Sequence, residues 1–325
     1  MQVATHENIS RKVSLEVMEP LVLECGDVLQ DLRIHYTTYG NLNASKSNVV
    51  WVFHALTGSS DVADWWPGLI GEGKTFDPEH DFIICANMLG SCYGSTEATS
   101  FDFPLITIKD MVKAHKILHK DLGLGKIRVG IGGSMGGQQL LEWAVQEPEL
   151  FETIVPLATN AVHSPWGIAF NEAQRMALKG DSEGGIKTAR AIGMLSYRSP
   201  EIYEDKQMDT DGRLDDFSAS SYQRYQGEKL KNRFSPFSYY SLSRSMDSHN
   251  LGRGRGTVED ALSKIKSKAI VIGIASDLLF PIHEQELIAD CIPYASFHQI
   301  PSKYGHDGFL VEMERIGEIL KNELD

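Results

Sequence analysis

The sequence predicts an α/β architecture: a mostly parallel sheet with helices on both faces and a helical insertion lying over it. Three observations predict it. Short, continuous apolar runs recur along the chain, and helical patterns separate several of them. One long stretch, from about residue 163 to residue 256, carries no buried-strand pattern at all. Continuous apolar runs mark strands covered on both faces. Strands alternating with helices close into a parallel sheet through right-handed crossovers. A chain of 325 residues has room for one large α/β domain with an insertion.

In chain order, Ser14 to Tyr39 alternates apolar and polar residues around Cys25-Gly26-Asp27, which predicts antiparallel strands and a tight turn. Val49 to Phe53, Phe82 to Ala86, Ile127 to Ile131, Ile154 to Ala158 and Ala269 to Ile274 follow as buried strands. Among them, Ile108 to Leu122 has apolar residues near i, i+3 and i+4 and stops at Gly123. Gln138 to Gln146 opens a helix directly after a glycine cluster, and Phe309 to Leu324 closes the chain as another. Within the long stretch, Phe170 to Leu178 and Ile186 to Leu195 have helical patterning. The expected organisation is a core built from 1–162 and 257–325, capped by a helical lid at 163–256.

Composition narrows the function. Lys and Arg total 31 against 44 Asp and Glu, a net charge of −13. An acidic surface repels phosphate backbones, so no nucleic-acid partner is expected. A small anionic substrate stays compatible, because local basic residues can outweigh the global field. Apolar runs such as Ala269 to Ala275 fall far short of the roughly 18 residues that a spanning helix needs, so no membrane partner is expected. The start, MQVATHENISRKVSLEV, has no apolar signal core, and the expectation is a cytoplasmic protein. Cys25, Cys85, Cys92 and Cys291 are widely spaced, make no metal-ligand pairs and are expected as free thiols.

The chemistry centres on Gly132-Gly133-Ser134-Met135-Gly136-Gly137, which contains G-x-S-x-G. In a chain with 29 glycines that string arises by chance about 0.2 times, so its context has to carry the weight. It follows the apolar run Arg128 to Ile131 and precedes Gln138 to Ala144, a good helix opening. A serine on a sharp strand-to-helix turn needs tiny neighbours at −2 and +2, supplied by Gly132 and Gly136; a plain glycine turn would not need that setting. The helix N-terminus also directs N–H groups toward developing negative charge.

A nucleophilic serine needs a base, and the base an orienting carboxylate. Asp277 follows the Ala269 to Ile274 run, at a strand's C-terminal end, where α/β sites are built. His306 lies in Lys303-Tyr304-Gly305-His306-Asp307, a loop after the strand-like Ser296 to Ile300. The other histidines fit blander places: His298 within a strand, His115 and His119 on a helix, His283 at a helix start. The order Ser134, Asp277, His306 is that of an α/β-hydrolase triad. The oxyanion hole is expected from the N–H of Met135, after the nucleophile, and that of Leu56 in the loop His54 to Gly58. His54 itself is expected to be structural.

Two strings compete for attention. Gly68-Leu69-Ile70-Gly71-Glu72-Gly73-Lys74-Thr75 matches the P-loop pattern residue for residue. A P-loop must leave a buried strand and open a helix, and neither Asp64-Trp65-Trp66-Pro67 nor Phe76-Asp77-Pro78 fits, so nucleotide hydrolysis is rejected. Gly252-Arg253-Gly254-Arg255-Gly256 could hold a phosphate but is read first as the return from lid to sheet. Arg175, Arg190 and Arg198 in the insertion could each be solvated or structural.

Together these residues resemble the homoserine O-acetyltransferase family, α/β-hydrolase-fold enzymes of methionine biosynthesis. The resemblance rests on His54 to Gly58, Cys85 to Gly90, Cys92 to Thr96, Gly132 to Ala144 and Phe170-Asn171-Glu172. It continues through Leu251 to Gly256, Ser276 to Pro281 and Gly305 to Leu310, so it spans nearly the whole chain. It implies an α/β-hydrolase fold with Ser134, Asp277 and His306 as a triad. It further implies that Arg190 and Asp307 hold the amino-acid acceptor, with L-homoserine and an acyl-CoA as substrates and a homodimer formed through the lid. Acetyl-CoA enters as co-substrate, and no tightly bound cofactor or metal is implied. After Gly94-Ser95-Thr96 a Gly-Pro of the family is missing, and the segment between Arg175 and Arg190 is shortened. A succinyl donor, a serine acceptor, a carboxylic-ester hydrolase on the same triad and a non-catalytic ligand-binding module are the alternatives weighed against this reading. The intact spacing of the triad argues against the last.

Overall fold

The computed structural model describes residues 10–181 and 184–324; the first nine residues of the stretch MQVATHENISRKVSLEV, which carries no apolar signal core, lie outside them. Ten strands run in chain order: β1 (Ser10–Val17), β2 (Leu21–Val22), β3 (Val28–Leu29), β4 (Leu32–Tyr39), β5 (Val49–Phe53), β6 (Phe82–Ala86), β7 (Ile127–Gly133), β8 (Phe151–Leu157), β9 (Lys268–Ile274) and β10 (Ala295–Ile300). Eight of them form one sheet in the order β1-β4-β6-β5-β7-β8-β9-β10. The pairs β1/β4 and β4/β6 are antiparallel, and every later pair is parallel.

The continuous apolar runs have the cause expected of them. In β5, Val49, Trp51 and Phe53 face one core and Val50 and Val52 the other, so both faces of the strand are buried. The first core is closed by helices Ile108–Asp121 and Met135–Gln146, through Met111, Leu118, Leu140 and Trp143. The second is closed by Trp66, Phe309, Ile316 and Leu320. No helix among the described residues is long and apolar enough to cross a membrane.

Some local expectations are refined. The Cys25-Gly26-Asp27 turn joins the short pair β2/β3 rather than β1 to β4; Gly26 sits at φ +96°, the left-handed region that favours glycine. The closing segment is two helices, Gly308–Val311 and Met313–Leu324, interrupted at Glu312, rather than one from Phe309. Between β8 and β9 lie five longer helices: Pro165–Gly180, Gly185–Tyr197, Pro200–Gln207, Ser218–Lys231 and Pro236–Asp247. Periodicity picked out the first two. Another signal marks three of the five: Ser164-Pro165, Ser199-Pro200 and Ser235-Pro236 each place an N-cap serine before a proline at the first helical position.

Parallel pairing brings the strands' C-terminal ends to one edge. Phe53 is paired with Gly132, Gly133 with Leu157, Leu157 with Ile272, and Ile274 with Ile300. The loops that leave β5, β7, β9 and β10 therefore meet, which is the geometry of sites in open α/β sheets.

Candidate active site

Ser134 occupies the turn between β7 and helix Met135–Gln146 at φ 57° and ψ −127°, a left-handed conformation rare for a side-chain-bearing residue. Its backbone is fixed at both ends: its N–H donates to Leu157 O at 2.9 Å, and Thr159 Oγ1 donates to its carbonyl at 2.7 Å. The flanking glycines are sterically required. A Cβ on Gly136 would lie 2.1 Å from Phe53 O, and one on Gly132 would lie 2.6 Å from the Gly136 carbonyl. This close approach packs the start of the helix against the end of β5.

His306 Nε2 lies 2.9 Å from Ser134 Oγ, and on its other side Nδ1–H donates to Asp277 Oδ2 at 2.6 Å. The second oxygen of Asp277 accepts the N–H groups of Leu279 and Phe280 at 2.8 and 2.9 Å. All three residues are buried. Phe280 stacks on the imidazole, ring centroids 5.0 Å apart, and Phe309 closes from another side at 5.2 Å. Gly305 supplies the left-handed step into this loop at φ +66°, and a Cβ there would lie 2.7 Å from Ser199 N. The carboxylate thus fixes the ring's orientation and tautomer, which leaves Nε2 free to accept the serine proton. Such an arrangement can activate a serine for attack on an acyl carbonyl.

Leu56 lies in the turn Ala55–Gly58, closed by Gly58 N–H to Ala55 O at 2.8 Å. Among the described residues, the N–H groups of Leu56 and Met135 donate to no acceptor, as donors reserved for a ligand would. His54 anchors the start of this loop: its Nδ1 faces Ala55 O at 2.9 Å, and Met88 N–H donates to its Nε2 at 3.0 Å. Burial pushes the ring down to about 4, so it stays neutral near pH 7.

A cavity of about 640 Å³ opens above Ser134 and His306, and Leu56, Arg190, Tyr197, Arg233 and Asp307 contribute to its wall. The three arginines left open by sequence separate here. Arg175 is buried and paired with Asp247 at 2.6 Å and Glu172 at 2.7 Å. Arg198 Nε lies 2.8 Å from Asp307 Oδ2. Arg190 has no carboxylate partner among the described residues; its guanidinium stands 5.1 Å over the Tyr197 ring, facing the cavity. Tyr197 and Arg233 carried no sequence signal. Neither belongs to a spaced motif, and only packing of the insertion over the sheet brings them to the site.

The competing strings have structural fates. In the P-loop match, Gly73 N–H donates to Asp77 Oδ2 at 2.6 Å and Gly71 N–H to Phe76 O at 3.1 Å. Those N–H groups are already used, and no helix follows. In the Gly-Arg string, Arg255 Nη1 and Nη2 reach the two oxygens of Glu142, on the helix after Ser134, at 2.9 and 2.5 Å. Arg253 pairs with Glu24 at 3.0 Å. The segment ties the returning chain to the core.

A family model for the alpha/beta hydrolase fold matches residues 48–312. The chain is 49% identical over 324 aligned positions to a homoserine O-acetyltransferase of Cyclobacterium marinum, covering 94% of this chain and 92% of that one. Among solved structures it matches a homoserine O-acetyltransferase of Staphylococcus aureus with a TM-score of 0.86 and 29% identity, over 97% of this chain and 95% of that one. Esterase E22 has a TM-score of 0.88 at 20% identity, over 98% and 100% of the two chains, a likeness of fold.

Proposed function

The chain belongs to the homoserine O-acetyltransferase family of alpha/beta hydrolase-fold proteins, and from that premise we propose that it moves an acetyl group from acetyl-CoA to the side-chain hydroxyl of L-homoserine. The observation that carries the proposal is the hydrogen-bonded series Asp277–His306–Ser134 beneath a cavity whose wall also holds Arg190, an arginine with no carboxylate partner among the described residues.

The reaction has two halves. His306 takes the Ser134 proton as Oγ attacks the thioester carbonyl, and the N–H groups of Leu56 and Met135 hold the oxyanion. The C–S bond breaks, the His306 proton passes to the departing thiolate, and acetyl stays on Ser134. The homoserine hydroxyl then gives its proton to His306 and attacks the acetyl-enzyme; O-acetylhomoserine leaves as Ser134 recovers the proton. Arg190 offers a planar fork to the acceptor's carboxylate, and Asp307 a carboxylate to its ammonium. Asp307 already faces Arg198, which holds it in place for that contact. The insertion at 163–256 acts as the lid that excludes water, without which the acetyl-enzyme would hydrolyse. The protein would work as a cytoplasmic homodimer without a tightly bound cofactor.

Mass spectrometry of products tests the assignment, with acetyl- or succinyl-CoA as donor and homoserine or serine as acceptor. O-acetylhomoserine is expected; acetate formed without any acceptor dependence would make the protein a hydrolase. Stopped-flow CoA release separates the two halves. Each charge-assisted contact to homoserine is worth on the order of 1.5–3 kcal/mol, roughly 10- to 150-fold in kcat/KM. Arg190→Ala and Asp307→Ala should therefore keep a near-normal burst and then turn over slowly. A burst lost together with turnover would sink these two roles.

A further inference from the structure

Arg233 lies just after helix Ser218–Lys231, in the insertion, yet its guanidinium reaches the loop that leaves β5. Its Nη1 donates to Thr57 O at 2.7 Å and to Tyr93 Oη at 2.9 Å, while Nη2 lies 3.3 Å from Thr57 Oγ1. Tyr93 closes the bracket by donating its hydroxyl to the carbonyl of Arg233 at 3.1 Å. Thr57 is the residue after Leu56, and the two are the corner of the turn Ala55–Gly58. One end of that turn is fixed by His54 and Met88; beyond its other end, Ser60 N–H donates to Asn87 Oδ1 at 2.7 Å. Among the described residues, the corner itself takes side-chain hydrogen bonds from Arg233.

We propose that Arg233 is a positioning residue for the oxyanion site, fixing the direction of the Leu56 N–H by clamping Thr57 from the insertion. A turn corner held only at its flanks can swing about them, and the donor in question must stay aimed at a point that carries charge only in the transition state. The clamp also makes the donor's aim depend on how the insertion is seated over the sheet, so the site is fully assembled only when the lid is in place. The inference rests on the serine-acylation reading of the site and not on the identity of the acceptor.

The guanidinium has one competing use, since it is exposed and lines the cavity, where it could instead bind the phosphates of the CoA donor. Two donors with the same acetyl group separate these uses, because p-nitrophenyl acetate has no phosphate. The experiment measures the pre-steady-state rate of Ser134 acetylation by each donor in wild type, Arg233→Ala, Arg233→Lys and Tyr93→Phe. Urea unfolding confirms that each variant folds. Arg233→Ala is expected to slow acetylation by both donors about 10- to 100-fold, below the loss for removing an oxyanion donor outright. Arg233→Lys should recover only part of the rate, lacking the fork, and Tyr93→Phe should show a smaller loss, again equal for both donors. Added methylguanidine should partly rescue Arg233→Ala with either donor. A rise in KM for acetyl-CoA with unchanged acetylation by p-nitrophenyl acetate would overturn the proposal in favour of phosphate binding. Normal rates with both donors would overturn it outright. If Ser134 is never acetylated in wild type, the acylation reading itself fails, which is a different result from either.

Discussion

Replacing Gly136 with alanine would put a methyl group where the protein has backbone. The added Cβ would lie 2.1 Å from Phe53 O and 2.8 Å from Phe53 C, with His54 O at 3.1 Å. Neither neighbour is a flexible side-chain end that could turn away. The helix start and the end of β5 must separate by about 1 Å before the contact reaches an ordinary closest approach. Overpacking of this kind costs about 1–3 kcal/mol, and a backbone-to-backbone clash belongs at the upper end. The consequence for chemistry should be larger. Met135 opens the helix on one side of the clash, and Leu56 follows Phe53 and His54 on the other, so the two N–H donors move apart along the line of separation. A misplacement near 1 Å costs on the order of 100-fold in rate. Urea unfolding and the stopped-flow acetylation rate with acetyl-CoA measure the two effects on the same variant. Gly125→Ala is the control: its added Cβ meets nothing within 4 Å, and it should change stability by about 0.5 kcal/mol or less and leave the rate alone. A Gly136→Ala protein that acetylates at the wild-type rate would refute the reasoning, because the donors' spacing would then not depend on this contact.

Other outcomes follow from the same structure. Ser134→Ala should fold with a loss of about 1 kcal/mol, from the single hydrogen bond to His306, and should form no acetyl-enzyme; an acetylated active-site peptide in that variant would rule Ser134 out as carrier. ATP with Mg²⁺ should neither bind nor alter activity, and micromolar binding lost in Lys74→Ala would contradict the account of the glycine string. Acid should begin to destabilise the protein below about pH 6.5, because burial holds His54, His115 and His163 near 4 and His249 near 3. The unfolded chain binds these protons more readily than the folded one, so stability is complete above the unfolded value and declines as pH falls toward 4, by at most about 3 kcal/mol per histidine. Tm measured from pH 7.5 to 4.5 should fall, with a shallower slope in His249→Gln; a flat profile would show that these rings are not held neutral.

Much of the architecture was legible in one dimension because burial on both faces forces continuous apolar runs, and β5 through β9 carry them. The placement of Ser134 was legible for a related reason. A nucleophile on a strand-to-helix turn tolerates only glycine two residues to either side, and Gly132 and Gly136 are pressed against backbone. Asp277 and His306 could be anticipated from their order and from the strands before them, although the 2.6 Å contact between them and the 2.9 Å contact from His306 to Ser134 exist only once β7, β9 and β10 align. The break at Glu312 had no sequence mark, since the apolar pattern runs through it. Three of the insertion's helices went unread for lack of a strong periodic face, although Ser-Pro marked two of them. Tertiary structure alone decided between Arg175, Arg190 and Arg198: all three lie on or next to helices with similar neighbours, and what separates them is that Arg175 meets Asp247 and Arg198 meets Asp307 across the fold, while Arg190 meets no carboxylate among the described residues. Arg233 is the extreme case, 176 residues from the turn it holds. A hydrogen bond between segments so distant leaves no period or spacing in the chain, because its geometry is set by how the insertion packs and not by anything adjacent to either partner.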